Sequence, residues 1–184
     1  MLKIVLLTLA ALVVVFLVIV ALQPKDFRIE RSATLAAVPS VVFAQVNDLR
    51  AWQTWSPWAR LDPNAKVTFA GPENGVGAAF SWEGNREVGI GTMTIIESRP
   101  AERVRIRLDF EKPMKSTSTA EFTFAPASNG GTAVTWAMSG ENNFVGRAFC
   151  LFVNMDKMVG TQFEQGFENL RAVVETKPAS ESKS

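Results

Sequence analysis

"ERVRIRLDF", residues 102–110, alternates without a break. Val104, Ile106, Leu108 and Phe110 fall on one side, and Arg103, Arg105, Arg107 and Asp109 on the other. Period-two alternation marks a strand with one covered and one wet face. The flanking segments repeat it. "STAEFTFAP" (118–126) sets Ala120, Phe122 and Phe124 together, and "GGTAVTWAMSG" (130–140) sets Val134, Trp136 and Met138 together. Upstream, "AKVTFAG" (65–71), "GAAFSWEG" (77–84) and "VGIGTMTIIES" (88–98) read as three more strands, with Ala78, Phe80 and Trp82 on one face. "FRIERSATLA" (27–36) is a seventh. The turn-forming stretches "PENG", "EGN", "RPAE" and "ASNGG" separate them. Seven strands in this order predict an antiparallel sheet whose apolar face needs a cover.

Two segments have helical spacing instead. In "VPSVVFAQVNDL" (38–49), Val42, Phe43 and Val46 share a face, and Pro39 suits the first turn, where its missing N–H costs nothing. From about Val145 to Thr176, the residues Phe152, Met155, Val159, Phe163, Gly166, Leu170 and Val173 form one apolar stripe. That pattern predicts one long helix, the only element large enough to cover the sheet. Gly160 and Gly166 each cost such a helix roughly 1 kcal/mol relative to Ala, so close packing or empty space is expected beside them. A strongly twisted sheet wrapped round one helix encloses more than the helix fills. The expected product is a cavity. Its sheet wall would be Phe80, Trp82, Ile106, Leu108, Phe122, Trp136 and Met138, and its helix wall Met155, Val159 and Phe163. Between the first helix and the later strands lies "AWQTWSPWARLDP" (51–63), with Trp52, Trp55 and Trp58 three apart. Pro57 and the following "LDPN" keep it out of a long helix. These tryptophans either plug one end of the sandwich or form the rim of the cavity.

Both ends differ from this body. Ile4 to Leu22 is 19 residues with no charge and only Thr8 polar. As a helix it spans ~28 Å, close to the ~30 Å hydrocarbon core. A cleaved signal would have a shorter apolar run and a small-x-small site, and the bulky Ile19 spoils "IVA". Residues 1–24 are therefore read as an uncleaved single-pass anchor, in the membrane through residues 4–22. Lys3 on one side nearly balances Lys25, Arg28 and Arg31 on the other, which are offset by Asp26 and Glu30. The short lead before the apolar run favours an exoplasmic or periplasmic domain. "KPASESKS" (177–184) reads as a disordered tail, which leaves residues 25–176 as the folded domain.

Composition excludes several chemistries. Past Leu22, 18 Lys+Arg (all but Lys3) face 18 Asp+Glu, a balance that argues against a nucleic-acid partner. The chain has no His and no Tyr, so the usual acid–base at neutral pH is missing and a Ser-His-Asp triad cannot form. The single Cys150 has no imidazole partner and no second thiol to bridge. No acidic cluster has calcium-loop spacing, and no Gly-rich turn has the strand–helix context of a phosphate loop. No metal and no cofactor are expected. Glu83, Glu97, Glu121, Glu141, Asp156 and Lys157 are the remaining polar candidates, and most should be solvated. Arg103, Arg105 and Arg107 form a basic row on the wet face, solvated or against anionic headgroups.

"VNDLRAWQTWSPWARLDPN", "GPENGVGAAFSWEGN", "TWAMSGENNF" and "MDKMVGTQFEQGFENL" resemble the polyketide cyclase/dehydrase-like branch of the START and birch-pollen-allergen superfamily, whose many bacterial members include membrane-anchored ones. The resemblance covers about residues 25–175. It implies the α+β helix-grip fold: a β-α-α-β6-α order with a seven-stranded antiparallel sheet wrapped round the C-terminal helix. It also implies a hydrophobic pocket with its mouth at Trp52–Trp58 and Glu141–Phe144, so that Trp52, Trp55, Trp58, Asn143 and Phe144 would form the rim. Cyclase members use polar pocket groups that often include His or Tyr, and this chain has neither. The expected function is a membrane-anchored binding protein for a small apolar or amphipathic ligand, lipids included, without covalent chemistry. An enzyme using carboxylate and Lys groups, and a protein–protein module with a vestigial cavity, are the alternatives.

Overall fold

The computed structural model describes residues 1–128 and 130–175 of the 184-residue chain. The tail expected at 177–184 lies outside the described residues. The elements are α1 Leu2–Leu22, β1 Asp26–Leu35, α2 Pro39–Asn47, α3 Leu49–Trp55, α4 Pro57–Leu61, β2 Lys66–Ala70, β3 Ala79–Glu83, β4 Ile90–Arg99, β5 Arg103–Lys112, β6 Ser116–Pro126, β7 Thr132–Glu141, α5 Phe144–Cys150 and α6 Met155–Val174.

The strands form one antiparallel sheet in the order β1-β7-β6-β5-β4-β3-β2. β2 to β7 follow one another as a meander, and β1 returns to pair with β7 at the far edge. A bulge between Ile95 and Glu97 shifts the β4–β5 register and turns Ile96 out to solvent. The apolar face expected from the alternation is the inner one: Val104, Ile106, Phe122, Val134 and Trp136 are each at most 2% exposed. α6 lies along this face across β1, with α2, α3 and α4 packed beside it. This is the α+β helix-grip architecture that the sequence predicts.

The helical cover differs from the expectation in one respect. The single helix expected from Val145 to Thr176 is two, broken at Leu151–Asn154. Each has its own start. The Asn143 side chain accepts from Gly146 N–H at 2.8 Å, and Asn154 accepts from Lys157 N–H at 2.9 Å. An Asn that caps a helix closes the previous one, because its backbone is extended. Phe152, assigned to the buried stripe, lies in the break and is 79% exposed. Along the rest of the stripe Met155 and Val159 are half-buried, Phe163, Gly166 and Leu170 are buried, and Val173 is exposed again. The tryptophan segment forms the short helices α3 and α4. Asp48 caps the first, accepting from Arg50 and Ala51 N–H, and Pro57 opens the second.

α1 is long and apolar enough to cross a membrane, a test that a signal sequence also meets. Only three residues separate it from β1. Its last turn packs on α5: Val20 is fully buried, and Arg147 Nη1 donates to the Ala21 carbonyl at 3.0 Å.

Candidate functional site

Cross-strand partners share a face, so the register sorts the inner wall into tiers. One tier runs Arg31, Trp136, Phe122, Val104 across β1, β7, β6 and β5. The next runs Ile29, Met138, Ala120, Ile106, Ile95. A third crosses all seven strands: Phe27, Gly140, Ser118, Leu108, Met93, Phe80, Phe69. This third tier lies at the end where β1 leaves α1.

The first tier is solid. Trp136 stacks on Phe163 of α6 with centroids 4.1 Å apart and lies tilted against Phe122 at 4.7 Å. Trp52 and Trp55 meet Trp136 edge-on at 5.4 and 5.7 Å. Expected as a plug or as a rim, Trp52 and Trp55 are 3% and 0% exposed, within the core. The two lie on one helical turn of α3, and that turn faces the sheet. The Trp55 indole donates to the Gln45 carbonyl at 3.1 Å, and buried Asn169 of α6 donates to the Trp55 carbonyl at 2.9 Å. Trp58 alone is half-buried, packed on Trp136 and Phe163. Asn143 is spent on capping α5, and Phe144 is exposed on that helix.

Burial falls off toward the α1 end. Of the ten residues expected to line a cavity, Ile106, Phe122, Trp136 and Phe163 are fully packed and Phe80 nearly so. Trp82, Leu108, Met138, Met155 and Val159 stay half-buried although they are apolar and face inward. The floor between them is made of small residues, Ala120, Ser118 and Gly140. Two hollows lie away from this floor. One, of about 60 Å³, is at Leu49, Arg50, Phe69 and Gly71. The other, open and of about 460 Å³, runs along Cys150–Met155. The tryptophans therefore fill the middle of the expected cavity, and toward the α1 end Ala120, Ser118, Met93 and Phe80 are buried while Leu108, Met138, Met155 and Val159 are half-buried.

The two helix glycines are sites of close packing. A Cβ on Gly166 would lie 2.7 Å from Trp136 Cζ3 and 3.4 Å from Pro57. A Cβ on Gly160 would collide with the guanidinium of Arg31. Arg31 is an arginine on the inner face of β1, which the sequence reading left unassigned. It reaches over α6 to Asp156 Oδ2 at 3.0 Å and Glu164 Oε1 at 2.9 Å. Those hydrogen bonds hold the Arg31 guanidinium above its ordinary pKa, and the bond from Arg31 holds the Asp156 carboxyl below the usual range. The lone inner-face cation is thus neutralised at the edge of the sandwich. The Trp136 indole N–H is the contrasting case, buried with no acceptor among the described residues.

Most other polar candidates lie outside this interior. Glu97 bonds Arg103 at 2.7 Å and also faces Arg99 and Arg105, and the hydrogen bond from Arg103 holds its carboxyl below the usual range. Glu121 faces Arg28 and Arg105, and Arg107 pairs with Asp109. The basic row on β5 is thus part of an ion-paired outer face. Glu83, Glu141 and Lys157 are exposed. Cys150 is a half-buried free thiol. Among the described residues no three metal-ligating side chains gather.

Residues 26–175 match the family model described as polyketide cyclase / dehydrase and lipid transport. No curated protein matches the sequence. Among solved structures, CV1439 from Chromobacterium violaceum is 19% identical, with 84% of this chain and 100% of that chain covered at a TM-score of 0.59. SA2116 from Staphylococcus aureus, a protein of unknown function, is 11% identical over 83% and 95%, with a TM-score of 0.61. The Aha1 dimer from Colwellia psychrerythraea is 14% identical over 82% and 97%, with a TM-score of 0.58. At these identities the likeness is one of fold.

Proposed function

The chain belongs to the polyketide cyclase/dehydrase and lipid transport family, and from that premise we propose that it is a membrane-anchored binding protein for a small apolar or amphipathic ligand, a lipid in the first instance. The observation that carries this reading is the burial gradient of the inner face. Met138, Leu108, Trp82, Met155 and Val159 form an inward apolar surface that the helices leave half covered, above a floor of Ala120, Ser118 and Gly140. An apolar chain laid there would remove that surface from water, at roughly 25 cal/mol per Å².

On this reading α1 stays in the membrane as an anchor and the domain stands on its exoplasmic side. The absence of His and Tyr from the chain supports binding without covalent chemistry. Native mass spectrometry of the full-length protein released from detergent micelles tests the binding. A bound species of lipid mass, displaced by an added apolar probe, is expected. Bare protein in every detergent, with no probe bound, would overturn the reading in favour of a protein–protein module.

A further inference from the structure

Exposed large apolar residues in the domain are mostly scattered, as on ordinary surfaces. Among the described residues of the domain they gather at one place. Phe144, Val145 and Phe149 of α5, with Phe152 in the turn after it, are 41%, 63%, 49% and 79% exposed. Val145, Phe149 and Phe152 follow at four- and three-residue steps, so they share one face. A contiguous apolar patch of this kind marks a docking surface.

The position of α1 decides what docks there. Phe152 meets Phe16 of α1, with ring centroids 6.4 Å apart. Phe16 precedes Leu22 by six residues, or about 9 Å along the helix. If α1 spans a bilayer, whatever touches Phe16 sits at that depth. Amphipathic helices that lie in a bilayer surface are immersed by about 5–10 Å. The same contact surface ends in Arg147, which reaches the Ala21 carbonyl and stands over the Phe144 ring. A cation at the last turn of a spanning helix is where a snorkelling residue meets headgroups. The three-residue link from α1 to β1 leaves no slack to lift the domain away.

We propose that α5 and the Leu151–Asn154 turn are immersed in the bilayer beside α1, with Phe144, Val145, Phe149 and Phe152 among acyl chains and Arg147 at the headgroups. This rests on the anchoring of α1 proposed above, and it extends the ligand reading. α6 begins directly after the immersed turn, so Met155 and Val159 at the uncovered end of the inner face stand at the membrane surface. The bound lipid enters from the bilayer rather than through water.

The test uses full-length protein carrying Cys150→Ser and one new cysteine, Phe152→Cys, Leu12→Cys or Glu102→Cys. Each is labelled with an environment-sensitive fluorophore and reconstituted in vesicles of phosphatidylcholine and phosphatidylglycerol bearing acyl-chain nitroxides. Leu12 is exposed, and at Phe152, itself 79% exposed, the change gives up the ring contact with Phe16. The label at 152 is expected to shift to the blue and lose most of its emission, as the label at 12 does, while the label at 102 is unchanged. A bright label at 152 beside a quenched one at 12 overturns immersion and leaves the anchor standing. Bright labels at both positions overturn the anchor and the immersion together. An unquenched 152 position that instead forms a disulfide between unlabelled copies assigns the patch to a second copy of the chain, and also overturns the proposal.

Discussion

Gly160 and Gly166 have different obstacles above them, and the difference is measurable. In an unobstructed helix either one changed to Ala would gain up to roughly 1 kcal/mol. Over Gly166 stands Trp136, locked between Phe163, Phe122 and two further tryptophans, so it cannot yield. Gly166→Ala is expected to lower stability by ~1–3 kcal/mol, the usual cost of overpacking. Over Gly160 lies only the tip of Arg31, whose carboxylate partners are mostly exposed, and such pairs hold little energy. Gly160→Ala should therefore stay near wild type. Urea unfolding in detergent, followed by tryptophan fluorescence, compares the two. Equal effects would mean that the Trp136 packing is not the rigid body it is taken for. Sequence spacing put both glycines on the helix and raised the choice between packing and space. It could not settle the choice, because Arg31, Pro57 and Trp136 lie far away in the chain.

The elements themselves were legible wherever a segment carried one clean period. The strands follow the alternation that "ERVRIRLDF" announces, apart from the bulge in β4, because a one-residue slip would turn every apolar side chain to water. The misreading at the C-terminus has a local cause. The stripe runs through Phe152 with helical steps, so periodicity alone joins α5 to α6. The signal against it was Asn154 with Asp156 in the following turn, a helix start. Asn154→Ala removes the acceptor of the Lys157 N–H and should cost about 1 kcal/mol. The expected readout is faster hydrogen exchange confined to the first turn of α6, with Leu170 and its neighbours unchanged. Exchange accelerated along all of α6 would show that the break is not held by this cap. The choice between plug and rim for Trp52 and Trp55 stayed open for a related reason. Three-residue spacing puts them on one side of α3, but only the tertiary contact with Phe122 and Trp136 says which side is inward.

At the scale of the whole molecule, packing is graded from one end to the other. Tryptophans fill the middle of the sandwich, and several apolar side chains stand half uncovered toward the α1 end. Val159 probes the gradient, since it lies on the covered stripe of α6 yet is only half-buried. Were its surroundings packed like those of Phe163, Val159→Trp would force side chains out of their rotamers and cost ~1–3 kcal/mol. In half-covered surroundings the larger ring finds room on the open side and buries apolar surface of its own. Stability is therefore expected to hold or rise. Binding of an apolar probe or co-purified lipid should fall sharply, because the indole occupies the ligand's place. Trp136→Phe makes the complementary change, removing the unpaired N–H while keeping a ring in the stack. Because Trp136 lies in the packed tier, it should lower stability while leaving probe binding close to that of the parent. Urea unfolding and probe titration on the same samples separate the cases. A destabilised Val159→Trp protein whose parent binds no probe and carries no lipid would mean that this end is core after all. The half-exposed apolar tier would then be a surface awaiting a protein rather than a lipid.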